Sequence, residues 1–112
     1  VTLGGFTGIH QYCRVGDISF TAISSVVVKD VPPYITVSGN TAKPSGLNKV
    51  GLNRNGFDTE SIEKIRHAYR TVYREGILLK DAMARLESLA AESEQVNNFV
   101  GFIRSSERGI TR

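Results

Sequence analysis

His10 and Gln11 are the side chains best suited to chemistry in this sequence of 112 residues. Imidazole titrates near neutral pH, so His10 can move a proton or position a ligand. The Gln11 amide can fix a hydroxyl or a carbonyl group. On the residues alone two readings of His10 stand: a proton-transfer or ligand-positioning group, and a structural or surface histidine. Cys13, the one cysteine, falls in a class of small inward residues and reads as structural rather than nucleophilic. His67 lies among polar positions and reads as solvated surface. There is no Gly-x-Ser-x-Gly elbow, no paired His/Cys metal spacing and no Gly-x-x-x-x-Gly-Lys phosphate loop. Neither a metal nor a cofactor is expected.

Charge narrows the partners. Residues 1–57 carry Arg14, Lys29, Lys43, Lys49 and Arg54 against Asp17 and Asp30, whereas residues 58–112 are balanced. The excess positive charge therefore sits in the first half, which favours an anionic ligand there. It is too scattered for a nucleic-acid stripe, and no aromatic residues interleave with it. Arg14, Lys29, Lys43 and Lys49 read first as plain solvated charge, with docking of an acidic protein as the alternative. No run approaches the roughly 18 apolar residues of a membrane span. A lone cysteine makes a reducing, cytoplasmic compartment the default.

The elements that must position these residues begin with a repeat of six. Counting from Leu3, the first position of each block reads Leu3, Ile9, Val15, Thr21, Val27. The fifth reads Thr7, Cys13, Ser19, Ser25, Val31, and the second Gly4, His10, Gly16, Ala22, Val28. Neither a helical period of 3.6 nor a plain strand period of 2 produces this order. A short strand and a corner per block does, with the aliphatic pointing into a three-sided prism and small residues tucked under the turns. Three blocks then make one coil, and His10 looks out of it. Five blocks are fewer than two coils, and the pattern is already running at residue 3. The chain is therefore expected to be a segment of a longer one, needing further coils or neighbouring copies.

The ladder is expected to end at Asp30-Val31-Pro32-Pro33, because proline donates no hydrogen bond and restricts the residue before it. Residues 34–37 alternate once more as a last strand. Turn residues from Ser38-Gly39-Asn40 onward predict a loop to about Phe57. Helices follow. Asp58 is suited to cap the first, with Ile62, Ile65, Tyr69, Val72 and Tyr73 on one face and Gly76 as a stop. The second runs from about Lys80 to Ala91, with Met83, Leu86, Leu89 and Ala90 inward. The third runs from about Ser93 to Ser105, with Val96, Phe99, Val100 and Ile103 inward.

Taken together, Gly4-Gly5-Phe6-Thr7-Gly8-Ile9-His10-Gln11-Tyr12-Cys13, Asp30-Val31-Pro32-Pro33-Tyr34, Gly39-Asn40, Gly51-Leu52, Arg54, Gly56-Phe57 and Arg104-Ser105 to Arg108-Gly109 resemble the UDP-N-acetylglucosamine O-acyltransferases of lipid A biosynthesis. The match is collinear over the whole chain and looks like the last two-fifths of such an enzyme. Hexads alone occur in many acyltransferases. The Asp-Val-Pro-Pro-Tyr exit with the Gly-Leu-x-Arg-x-Gly-Phe loop is the specific part.

This resemblance implies a left-handed parallel β-helix (1–37), a loop with nucleotide-facing residues (38–57) and a C-terminal α-helical domain (58–112), assembled as a homotrimer. A left-handed crossover is an exception to the usual chirality. It implies transfer of a 3-hydroxyacyl group from acyl carrier protein to the 3-hydroxyl of UDP-N-acetylglucosamine, the first step of lipid A biosynthesis. The family's general base and oxyanion donor lie upstream, so no catalytic residue is expected in this segment. His10 and Gln11 would line the cleft between subunits, Asn48 and Arg54 would contact the nucleotide, and Ile23 would limit acyl-chain length. Val50, Asn55 and Thr41 depart from the family, which usually has an acidic residue, a second arginine and often a histidine there. These changes are expected to weaken or alter sugar-nucleotide binding, and a modified amino sugar is an alternative acceptor. Two other readings remain: a non-catalytic or divergent trimer that binds a sugar nucleotide, and a hexapeptide-repeat acyltransferase using coenzyme A.

Overall fold

The computed structural model describes all 112 residues. Its first part is a coil of very short strands: β1 (Thr2–Leu3), β2 (Gly8–Ile9), β3 (Phe20–Thr21) and β4 (Val26–Val27). None pairs with its neighbour in sequence. β1 pairs with β3 and β2 with β4, both in parallel. Leu3 stands opposite Thr21 and Ile9 opposite Val27, so these layers are three hexads apart, whereas Thr21 on Val37 and Val15 on Val31 are two residues closer in sequence. Leu3 and Ile9 stack in register as the repeat predicts, but Val31, read as a fifth-position residue, takes the place opposite first-position Val15, because the block after Val27 is two residues short. The corners are made by the fourth position of each block, where Phe6, Tyr12, Ile18 and Ser24 all have φ between 56° and 66°.

The small positions have specific causes. A Cβ on Gly4 would lie 2.6 Å from the Thr21 carbonyl oxygen, and one on Gly16 would lie 2.4 Å from the Pro33 nitrogen. Backbone of the next layer occupies that space. At fifth positions the hydroxyls of Thr7, Ser19 and Ser25 donate to the carbonyls of Gly4, Gly16 and Ala22, at 2.7, 2.7 and 2.6 Å. Each closes its own corner and leaves no buried hydroxyl unpaired.

β5 (Ile35–Ser38) continues the coil, pairing in parallel with β3. Val15 bridges Val31 on the adjoining side. Thr21, Val27, Val31 and Val37 are fully buried, whereas Leu3 and Ile9 are 50% and 38% exposed at the open end of the coil.

Residues 38–57 depart from the expected loop. β6 (Lys43–Leu47) runs antiparallel to β5, with a register irregularity at Thr36/Val37, and α1 (Lys49–Arg54) follows it. Pro44 and Gly46 hide the strand from propensity, yet an edge strand accommodates both. α1 is too short to show a periodicity, and Leu52 is its one buried residue.

The remaining helices agree with the sequence reading. They are α2 (Thr59–Tyr73), α3 (Leu79–Glu92) and α4 (Glu94–Ser105). Asp58 Oδ1 accepts from the Ser61 amide at 2.8 Å, and Ser93 Oγ accepts from the Val96 amide at 3.2 Å. Ile65, Tyr69 and Val72 join Met83, Leu86, Phe99 and Ile103 in one core that is continuous with Val27, Val31 and Val37 of the coil.

A polar joint locks the two parts. Asp30 is 2% exposed. Its Oδ1 accepts from the Arg14 amide at 2.7 Å, and its Oδ2 accepts from Ser106 Oγ at 2.6 Å. The chain beyond α4 returns to this point: the Asp30 amide donates to Gly109 O and the Thr111 amide to Asp30 O. Arg14 also places its guanidinium 4.3 Å from the Phe102 ring centre.

Candidate functional site

The site is assembled where β6 turns into α1. Asn48 caps α1: its Oδ1 accepts from the Gly51 amide at 3.1 Å, and its Nδ2 donates to the Ile18 carbonyl at 2.8 Å. One side chain thus ties a left-handed corner of the coil to the start of the helix. It keeps one N–H and one oxygen lone pair for a ligand. Gly51 makes this possible, because a Cβ there would stand 2.3 Å from Asn48 Nδ2. Leu52, fully buried, anchors the helix.

Between α1 and the coil lies a cleft of about 500 Å³. Thr2, Phe20 and Thr36 of three successive layers form one wall, and Asn48, Lys49 and Arg54 contribute polar groups from the other. Lys49 and Arg54 are its only charged residues. Both are exposed and neither has a carboxylate partner. An open cleft with two uncompensated cations, a partly engaged amide and the Phe20 ring in its wall suits an oxyanion joined to a flat or apolar group.

Asn48 and Arg54 are therefore brought together. His10, Gln11 and Ile23 are not part of this cleft. His10 and Gln11 are exposed on the coil, with His10 Nδ1 3.2 Å from its neighbour's carbonyl, Gln11 O. The outward placement expected for His10 holds in this chain. Ile23 is 69% exposed and packs toward Gly5. Cys13 is half-buried against the core; burial pushes its thiol pKa up, opposed by Arg108 and reinforced by Asp30. That favours the inert thiol form, in keeping with a structural role. His67 is exposed on α2. No group of three or more His, Cys, Asp or Glu side chains is placed to hold a metal ion.

The three departures occupy different settings. Val50 lines the cleft and is 60% exposed. Asn55 ends α1 with its Nδ2 donating to the Gly51 carbonyl at 2.7 Å, outside the cleft lining. Thr41 lies in a separate pocket of about 200 Å³ beside Lys29, Lys43 and Arg112. Sequence reasoning missed Lys49 as a cleft residue. The signal was a lysine five positions before Arg54, but a face can be assigned only once residues 49–54 are known to be helical.

In-register strands on a six-residue repeat, closed by helices and carrying a cationic cleft, define a hexapeptide-repeat protein equipped to hold an anion. The family model for UDP-N-acetylglucosamine O-acyltransferase, domain 2, matches residues 30–111. Similar chains include acyl-[acyl-carrier-protein]–UDP-N-acetylglucosamine O-acyltransferases of Thiobacillus denitrificans (48% identity) and Pseudomonas paraeruginosa (46%), each matched over 98% of this chain. The solved UDP-N-acetylglucosamine acyltransferase of Francisella novicida superposes with a TM-score of 0.94 at 40% identity, over 98% of this chain and 41% of its own. This chain belongs to the UDP-N-acetylglucosamine O-acyltransferase family. It spans about two-fifths (43%) of the length of the curated relatives it matches.

Proposed function

We propose that this chain is the sugar-nucleotide-holding part of a longer acyltransferase. That enzyme moves a 3-hydroxyacyl group from acyl carrier protein to the 3-hydroxyl of UDP-N-acetylglucosamine. The observation that carries the reading is the meeting of Asn48 and Arg54 at one cleft free of carboxylates. Family membership supports it independently.

In the reaction a base removes the sugar hydroxyl proton and the oxygen attacks the thioester carbonyl carbon. An ester bond forms, the carbon–sulfur bond breaks, and the carrier thiolate takes up a proton. This segment supplies positioning rather than the base, which belongs to coils preceding Val1. Arg54 binds the diphosphate through charge-assisted hydrogen bonds, and Asn48 orients the nucleotide with its remaining amide proton. His10 and Gln11 line a cleft completed by a neighbouring subunit of a homotrimer. Ile23, exposed on the coil, fills space that a longer acyl chain would need, where each buried methylene is worth about 0.8 kcal/mol.

The wider frame follows from the same reading: a left-handed parallel β-helix over 1–37, a nucleotide-facing connection over 38–57, and a C-terminal helical domain over 58–112, in a cytoplasmic enzyme. No helix of the chain is long and apolar enough to cross a membrane.

The test is acyl transfer by the full-length polypeptide from a series of 3-hydroxyacyl carrier proteins. Turnover to UDP-N-acetylglucosamine with preference for shorter donors, shifted upward by Ile23→Gly, is the expected result. A trimer that binds the sugar nucleotide without turnover would overturn the catalytic reading. Preference for the longest donor, unaltered by Ile23→Gly, would overturn the role of Ile23.

A further inference from the structure

We propose that Lys49 is the second diphosphate-binding cation of this protein, acting beside Arg54 in the same cleft. The inference rests on the sugar-nucleotide reading above and extends it to a further residue of the cleft.

A nucleoside diphosphate group carries about two negative charges, and one guanidinium leaves it half compensated. Residue 55 cannot complete the pair here. Asn55 is neutral, and its side-chain amide is spent on the Gly51 carbonyl at 2.7 Å. Lys49 lines the same cleft as Arg54, from the opposite end of α1. Its ammonium has no carboxylate within salt-bridge distance, and no carboxylate lines the cleft.

The fold gives Lys49 no structural reason. It is exposed, it makes no side-chain hydrogen bond, and a cation in the first turn does not favour a helix. Val50 beside it is neutral, so both cations of the cleft are available to the ligand. The arrangement offers two positive charges to the diphosphate, one from each end of α1. Recognition falls on the phosphates and leaves the base and sugar untouched.

Binding of UDP and of uridine to the full-length polypeptide tests this, with Lys49→Met and Lys49→Arg as variants. Lys49 is exposed, so unchanged thermal midpoints should confirm that both variants fold. Lys49→Met should weaken UDP binding about tenfold or more and flatten its salt dependence, with uridine binding unaltered. Lys49→Arg should restore most of the loss. UDP binding by Lys49→Met equal to that of the unmodified protein would overturn the assignment of Lys49 and leave the sugar-nucleotide reading intact. No UDP binding by the unmodified protein would overturn both.

Discussion

Gly16 of the coil and Gly101 of α4 are small for opposite reasons. In the coil, a methyl group on Gly16 would sit 2.4 Å from the backbone of Pro33. In α4, a methyl group on Gly101 would meet nothing within 4 Å. At Gly4 and Gly16 the coil is specified by the spacing of backbone layers, which leaves no room there for an added atom. The helical part is specified by apolar stripes meeting side chain to side chain, and its outward surface is free to vary. Asp30 joins the two regimes, because it sits at a coil corner while holding the chain that returns from α4.

The largest effect should come from forcing a side chain between layers. Gly16→Ala should destabilise the protein by about 3 kcal/mol or more, read as a drop in denaturation midpoint, since neither backbone nor proline ring can yield cheaply. A near-neutral result would mean that the layers are not packed at this spacing. Breaking the joint should come next. Asp30→Ala leaves the Arg14 amide and the Ser106 hydroxyl without their acceptor and should cost about 2–3 kcal/mol. Faster hydrogen exchange should appear at Arg14 and in residues 106–112 before the core of α2, because these are the places that lose a bond to the carboxylate.

Gly101→Ala should run the other way, raising stability by about 0.5–1 kcal/mol through helix propensity, as a small rise in thermal midpoint. A loss would show that something covers that face of α4. Asp58 should give the smallest effect. Backbone hydrogen bonding from Ser61 holds its carboxyl below the ordinary carboxylate range. Its stabilising contribution is therefore present above about pH 3.9, the unfolded value, and fades as pH falls through the lowered folded value. Comparing acid unfolding of Asp58→Asn with the unmodified protein checks this: the variant should lose less stability on acidification.

Much of the fold was legible in the sequence because two periodicities are written in side-chain size. Inward aliphatics every six residues gave the stack of Leu3 on Thr21 and Ile9 on Val27. Stripes at helical spacing gave the buried faces of α2, α3 and α4, with Asp58 and Ser93 marking two of the starts. The corners were not legible. Phe6, Tyr12, Ile18 and Ser24 adopt left-handed backbone without being glycine or asparagine, so no turn residue announces them. β6 and α1 were lost for related reasons: Pro44 and Gly46 disguise an edge strand, and a six-residue helix has no measurable period. The site suffered accordingly. Asn48 and Arg54 came from family resemblance, and Lys49 passed for a surface charge until α1 fixed its face.

The central claim is that the cleft between α1 and the coil holds a sugar nucleotide through Arg54. Titrating UDP-N-acetylglucosamine into the full-length polypeptide and its Arg54→Met variant tests it most directly. The unmodified protein should bind saturably, and the variant more weakly, by about tenfold or more, with its thermal midpoint unchanged. Equal affinity in the two proteins would contradict it.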